Sequence, residues 1–275
     1  MLAGPAVERL FATASPASRA GGLSLFRQGP WLLGGASVPI HDGLEVAVRR
    51  IYTDLLEATR GLHLARIWNY VPAINEPGPG NLENYRLFSR ARSLAFEAHF
   101  GPRFKPLLPS ASAVGTESDR FTLAFAATAS PPHHIENPLQ VSAYNYPVEY
   151  GPRSPSFARA TVVGGASPSA VFISGTAAIR GHTTVAPDEL APQLECTLGN
   201  LRHLAQTCGL GPELGRGGPL PRHFKVYLRR ADDYAAAARM LQQELFTADD
   251  TVTYLQADIC RAALVVEIEA TLLAP

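Results

Sequence analysis

The sequence predicts an α+β fold built from two tandem copies of one unit, each a mixed sheet packed against two helices. Three observations predict it. The order strand, strand, helix, strand, helix, strand occurs twice along the 275 residues. Apolar residues at helical spacing alternate with short runs of period two. A composition 46% hydrophobic and 17% charged supplies ample material for a core.

Met1 to Gly22, rich in Ala, Pro, Ser and Gly, reads as a loose lead-in. Leu25 to Val38 reads as strand, turn, strand, with Gly29-Pro30 at the turn. Leu44, Val48, Ile51 and Leu55 mark a helix ended by Gly61. His63 to Ile74 is a strand that runs into Pro72, and a Pro/Gly loop follows from Asn75 to Asn81. Tyr85, Phe88, Ala91, Ala95 and Phe96 mark the second helix, and Ser112 to Thr128 reads as a strand pair turning near Glu117-Ser118-Asp119. Residues 1–130 make the first unit on this reading. Residues 131–155, with their prolines and with Tyr144, Tyr146 and Tyr150, make a long irregular connection of the kind that carries function or links domains.

Residues 156–275 repeat the order. Phe157 to Val163 and Ala170 to Ile179 are strands, and Leu190, Leu194, Leu198 and Leu201 make a helix ending near Gly209. Phe224 to Leu228 is a strand, followed by a helix on Tyr234, Ala238, Leu241 and Leu245 with Asp232 as its cap. The last strand runs from Asp258 to Leu272. Trp31-Leu32-Leu33-Gly34 corresponds to Phe172-Ile173-Ser174-Gly175, and Phe121–Thr128 to Leu264–Thr271. Where the second unit carries Arg261, Glu267 and Glu269, the first has Ala113, Ala124 and Ala126. Only the second unit keeps a polar strand.

Charge narrows the function classes. With 24 basic and 24 acidic residues, nucleic acid and anionic membrane are poor partners. Lys105 and Lys225 are the only lysines, which leaves little room for Schiff-base chemistry. Cys196, Cys208 and Cys260 form no Cys-x-x-Cys pair, as expected of a cytoplasmic protein without a disulfide framework. Glu8 and Arg9 interrupt any signal-peptide core, and no run reaches the ~18 apolar residues of a membrane span. His133-His134 lie between prolines with no third ligand at metal spacing and read as loop; His182 reads as structural, and Cys196 and Cys208 as buried. Gly209–Gly218 lacks the lysine of a phosphate loop.

The last strand concentrates chemistry. Alternation puts Arg261, Glu267 and Glu269 on one face, with Leu264, Val266, Ile268, Ala270 and Leu272 on the other. An acid in so apolar a strand has its pKa raised toward the general-acid range, and an arginine beside it offers a planar fork for a carboxylate. Cys260 and Glu267 are seven residues apart, so a regular strand sets them on opposite faces. They share a site only if a bulge or bend re-aims the thiol.

Phe172-Ile173-Ser174-Gly175-Thr176-Ala177, the Leu-rich helix with Asn200, Lys225-Val226-Tyr227-Leu228, and Cys260-Arg261 followed by Val266-Glu267-Ile268-Glu269-Ala270 resemble the Rid/YjgF-like (reactive-intermediate deaminase) fold. Its doubling in one chain, with Trp68-Asn69-Tyr70-Val71-Pro72, Asn75, Tyr144-Asn145-Tyr146-Pro147 and Tyr150-Gly151-Pro152, resembles the chorismatase family from about Trp31 onward. The resemblance implies a metal- and cofactor-free enzyme, a monomer or homotrimer, that releases pyruvate from chorismate. In family terms Glu267 matches the acid that protonates the enolpyruvyl methylene, with Glu269 tuning it. Arg261 matches a carboxylate anchor, Arg159 is a second anchor, and Tyr146 and Tyr150 supply hydroxyls. Gly175 and Ala177 belong to the substrate-binding wall. Cys260 resembles the cysteine of the branches that yield 3-hydroxybenzoate, alone or with 4-hydroxybenzoate. Ala177 stands where one such branch has glycine, which leaves the mixed-product branch and hydrolysis to a dihydroxycyclohexadiene carboxylate open. A Rid-like imine deaminase and a non-catalytic binder of small carboxylates share the fold and remain the rivals.

Overall fold

The computed structural model describes residues 1–8, 10–165 and 167–274. The first unit contains strands β1 (Ser15–Ala20), β2 (Leu23–Gln28) and β3 (Trp31–Pro39), helix α1 (Leu44–Ala58), β4 (His63–Pro72), α2 (Asn84–Phe100), β5 (Ser110–Thr116) and β6 (Arg120–Thr128). Its 6-stranded sheet has the order β1-β2-β3-β6-β4-β5. The second contains β7 (His133–Ile135), β8 (Ala160–Val163), β9 (Ala170–Ala177), the short hairpin β10 (Ile179–Arg180) and β11 (Thr183–Thr184), α3 (Leu190–Thr207), β12 (Arg222–Leu228), α4 (Tyr234–Glu244), β13 (Thr251–Gln256) and β14 (Val266–Leu273). Its 6-stranded sheet has the order β13-β12-β14-β9-β8-β7. Read from opposite ends the two sheets match strand for strand, so the tandem pair of α+β units foreseen from the sequence is present.

Each unit buries its own helices against its own sheet. Leu44, Val48, Ile51, Tyr52 and Leu55 present one stripe of α1 to the first sheet, where they meet Phe88 and Phe96 of α2 and Phe121 and Phe125 of β6. Leu194, Leu198 and Leu201 of α3 and Leu241 of α4 do the same over Val226, Ile268 and Leu272. The units join along a separate seam in which Trp31, Trp68 and Ala126 meet Val163, Phe172 and Leu273. Trp31 and Phe172 make an edge-to-face pair at 5.9 Å. At the other end the Ala111 amide donates to Ser174 Oγ (2.8 Å) and the Ser110 amide to Thr161 Oγ1 (2.9 Å), tying β5 to the second sheet.

Several expectations need correction. The lead-in is ordered: β1 pairs antiparallel with β2, and the Leu2 amide donates to the Tyr254 carbonyl of β13 (2.8 Å). β5 and β6 are not partners. β5 runs parallel to β4, and β6 enters between β3 and β4, because a crossover through α2 delivers β5 to the far edge. His133-His134 are in edge strand β7, where His134 Nδ1 meets Thr161 Oγ1 at 3.1 Å. β8 begins at Ala160, and the strand expected to reach Ile179 ends at Ala177. Asp232 does not cap α4. Asp233 holds the N-cap position without a side-chain cap bond, and its carboxylate is taken by Arg230 (2.8 Å). β13 was not foreseen, and Asp258 to Val265 are not strand, so Cys260 and Arg261 sit in a bent segment ahead of β14.

Candidate active site

One cavity of about 510 Å³ opens at the junction of the units. Its first-unit wall comes from α2 and β5, and its second-unit wall from β9, β14, the 258–264 segment and the tyrosine connection. Glu267, Cys260, Arg261, Arg159, Tyr146, Tyr150, Gly175 and Ala177 all line it. Glu269 is not among the lining residues. The substrate-binding place that the family resemblance would give Glu269 is therefore not seen, and the reason is its partners.

Glu269 lies beneath the cavity floor, its carboxylate saturated by donors. Oε2 accepts from Arg66 Nη2 (2.7 Å) and from the Ser112 hydroxyl, and Oε1 from Trp68 Nε1 (2.9 Å) and Lys225 Nζ (3.0 Å). Burial alone would raise its pKa, but the charges of Lys225 and Arg66 and these bonds outweigh it and hold it at about 2. Glu269 is therefore a fixed anion. Lys225 sits opposite it on β12 and also reaches Glu8 of the N-terminal segment.

Glu267 is its opposite. It is 3% exposed, pairs in register with Ala177 of β9 and Tyr227 of β12, and its Oε1 has no hydrogen-bond partner. Burial and then the Glu269 charge push its pKa up to about 8, with Arg66 and Arg159 pulling back. A buried carboxyl that keeps its proton at neutral pH and faces an open cavity has the form a general acid needs. Gly175 makes the room. A Cβ there would lie 2.0 Å from Glu267 Oε1, so any larger residue requires the Glu267 carboxyl to move.

Cations surround the acid in three states of commitment. Arg159 Nη2 donates to the Tyr146 hydroxyl (2.8 Å) and the Val141 carbonyl (3.1 Å), leaving Nε unpartnered. Arg261 Nη1 donates to the His182 carbonyl (2.8 Å) and Thr184 Oγ1 (3.1 Å), with its guanidinium stacked 4.2 Å over the Tyr150 ring and Nη2 unpartnered. Tyr150 in turn holds His182 Nδ1 at 3.1 Å, which explains how His182 serves the site without lining it.

The third guanidinium was not foreseen. Arg92 of α2 lines the cavity at 2% exposure, with Nε and Nη2 unpartnered, packed over the rings of Tyr52, Phe88 and Phe96. Burial lowers its pKa, and no carboxylate among the described residues pairs with it. A buried cation without an anion is costly unless a ligand supplies one. The helical spacing from Phe88 to Phe96 puts residue 92 on the buried stripe, so an arginine there was the available signal. Ser112, which bridges Arg66, Glu269 and the Gly175 amide (3.0 Å), was also missed.

The parity conflict at Cys260 is resolved by the bend. Ile259 makes an isolated bridge to Val114 and then the chain turns, so the half-buried thiol and Glu267 share one cavity. Burial and the Glu267 charge push the thiol up to about 12, so it stays protonated. Among the described residues no three His, Cys, Asp or Glu side chains gather as a metal site.

The site can therefore deliver one proton from a neutral carboxyl to a dianionic ligand held between guanidinium groups. Residues 10–127 match the family described as chorismatase FkbO/Hyg5-like, N-terminal. A 3-hydroxybenzoate synthase of Streptomyces hygroscopicus is 35% identical over 263 residues, covering 92% of this chain and 76% of that protein. A chorismatase of Streptomyces rapamycinicus is 36% identical over 258 residues, covering 90% and 76%. A chorismatase crystal structure superposes with a TM-score of 0.84 at 32% identity, covering 94% of this chain and 80% of that one. With these relatives spanned over most of their length, the chain belongs to the chorismatase family.

Proposed function

We propose that this enzyme converts chorismate to pyruvate and 3-hydroxybenzoate, with 4-hydroxybenzoate as a lesser product. The observation that carries the reading is Glu267: a buried, protonated carboxyl with an unpartnered oxygen in a cavity lined by arginines. Chorismate has two carboxylates and an enol-ether methylene that must accept a proton. Glu267 donates to that methylene, the ether carbon becomes oxocarbenium-like, and the C–O bond to the ring breaks as the ring hydroxyl displaces pyruvate. The attacking hydroxyl's proton returns to Glu267, and the ring epoxide left by the displacement opens at one C–O bond as a ring hydrogen migrates and the ring aromatises to the hydroxybenzoate, so the cycle closes with no net proton and no water. In hydrolysis a water attacks instead and recharges the acid in the same way.

The enolpyruvyl carboxylate is bonded to the carbon beside the methylene, so its anchor must be near Glu267. Arg159, whose charge bears on Glu267 and whose Nη2 holds the Tyr146 hydroxyl, is that anchor. The ring carboxylate lies farther off and falls to Arg261 and Arg92, each with an unpartnered nitrogen. Ala177 faces Glu267 across the strand pair and, with Cys260, limits where water can stand. The same reading divides the chain into units 1–130 and 156–275 joined by residues 131–155, of which β7 pairs with the second unit's sheet, and places a monomer or homotrimer in the cytoplasm. Among the described residues no helix is long and apolar enough to cross a membrane.

The test is to incubate the protein with chorismate and no added metal, and to follow pyruvate and ring products by chromatography. Pyruvate with 3-hydroxybenzoate supports the reading; pyruvate with a non-aromatic diol moves the enzyme to the hydrolytic branch. Ammonia from an imino acid without pyruvate from chorismate selects the deaminase, and binding without turnover selects the non-catalytic rival. Two further outcomes follow. Because the acid must be protonated, kcat/KM is level below and falls above a pH near the Glu267 pKa of about 8. Gly175→Ala forces the Glu267 carboxyl aside and lowers kcat by roughly 10²-fold, the cost of about 1 Å of misplacement, with the melting temperature as the control for folding.

A further inference from the structure

The segment that carries Cys260 and Arg261 has no strand ladder to shape it; Ile259 bridges Val114, the Gly115 amide donates to the Asp258 carbonyl (2.7 Å), and the Ala263 end is held by the Asp188 amide (3.0 Å) and Gln193 Nε2 (2.8 Å). The stretch from Asp258 to Arg261, which carries both site residues, is braced from behind by Arg229, the residue after β12, which does not line the cavity. Arg229 Nε donates to the Leu264 carbonyl (2.8 Å), and Nη1 to Asp258 Oδ1 (2.5 Å). Nη2 donates to the Arg261 carbonyl (2.9 Å), the Ile259 carbonyl (3.3 Å) and Asn75 Oδ1 (3.1 Å). Asn75 comes from the first unit, and its Nδ2 donates to the same Ile259 carbonyl (3.0 Å). One guanidinium thus spans the bend from Asp258 to Leu264, and one amide ties it to the opposite wall.

We propose that Arg229, seconded by Asn75, is a positioning residue for the reaction: it holds the 258–264 bend so that the Cys260 thiol and the Arg261 guanidinium face the cavity together, and so sets the partition between internal displacement and attack by water. The partition part rests on the chorismatase reading above. The geometric part does not. A lysine at 229 keeps a charge for Asp258 but cannot fork across the carbonyls of Ile259, Arg261 and Leu264. An arginine holding only the fold would, when removed, lower stability and overall rate while leaving the product ratio and the reach of the thiol alone.

The test uses full-length Arg229→Gln, Arg229→Lys and Asn75→Ala, assayed well below their melting temperatures. Chromatography reads aromatic against non-aromatic ring product, steady-state kinetics read KM against kcat, and a thiol probe such as iodoacetamide reads Cys260, the other cysteines being buried. Arg229→Gln is expected to raise KM for chorismate roughly tenfold, to raise the diol share severalfold, and to speed Cys260 labelling about tenfold. Arg229→Lys should fall between it and the wild type. Asn75→Ala, which removes one tie and leaves Arg229, should shift the same readouts in the same direction, and it keeps the test open if Arg229→Gln does not fold. Unchanged labelling and unchanged product ratio in the folded variants overturn the proposal. Faster labelling with an unchanged ratio overturns control of the partition. If the wild-type enzyme releases no pyruvate from chorismate, the functional reading has failed, and the labelling rate alone decides whether Arg229 positions the bend.

Discussion

Glu267→Gln is expected to lower pyruvate release from chorismate by about 10²–10⁴-fold, the usual worth of a general acid, while chorismate still binds within about threefold of wild type. Glutamine keeps the shape and neutrality of the protonated carboxyl and removes only the transferable proton. Binding therefore survives because Arg159, Arg261 and Arg92 are untouched, and the loss falls on kcat. The pH dependence of stability supplies a second readout. Glu267 binds its proton in the folded chain up to a pH of about 8, whereas unfolded it releases it near the ordinary carboxyl value of 4.5. Between those values the folded state holds more protons, so this residue makes stability fall as pH rises, levelling off above about 8. Glu267→Gln should erase that decline. Glu269, held at about 2, acts in the other sense: its contribution is present above 4.5 and is lost as pH falls toward 2. Undiminished turnover in Glu267→Gln would remove Glu267 from the mechanism, and an unchanged stability slope would mean that its carboxyl is not protonated at neutral pH.

The doubled fold was legible because the two units repeat their periodicities: α1 and α3 carry unbroken apolar stripes, and β6 and β14 alternate in step with each other. What escaped was set by contacts remote in sequence. β13 is short and half polar, and its place is fixed by parallel pairing with β12 rather than by any local pattern. β5 looks like the partner of β6 because a tight turn joins them, yet it pairs with β4. In the site, Glu267 and Arg261 stood out by type and spacing. The differing roles of Glu267 and Glu269, two residues apart on one strand, could not, because they depend on Arg66, Ser112 and Lys225, which only the fold brings near. Arg92 escaped for a related reason: a charged residue on a helical stripe reads as surface until the stripe is seen to be entirely buried.

Arg92→Leu should separate stability from function in the direction that an idle structural arginine would not. Arg92 is buried among rings with two nitrogens unpartnered and with no carboxylate beside it. Stability selected on its own would not keep such a charge, since a leucine of similar volume in an aromatic nest removes the desolvation cost. The variant should therefore be more stable, by about 1–3 kcal/mol, than the ligand-free wild type. The same change removes a charge-assisted fork for the ring carboxylate, a loss of about 2–5 kcal/mol for a buried charged pair. That corresponds to a fall in kcat/KM of roughly 30- to 5 × 10³-fold, with KM taking the larger share, because the carboxylate is held equally before and during proton transfer. Chorismate should also protect the wild type against heat more than it protects the variant, because the ligand supplies the anion that Arg92 lacks. Thermal melts with and without chorismate, together with steady-state kinetics, check both halves. A variant that is less stable and binds chorismate as tightly as wild type would make Arg92 a packing residue, and would leave Arg261 as the anchor of the ring carboxylate.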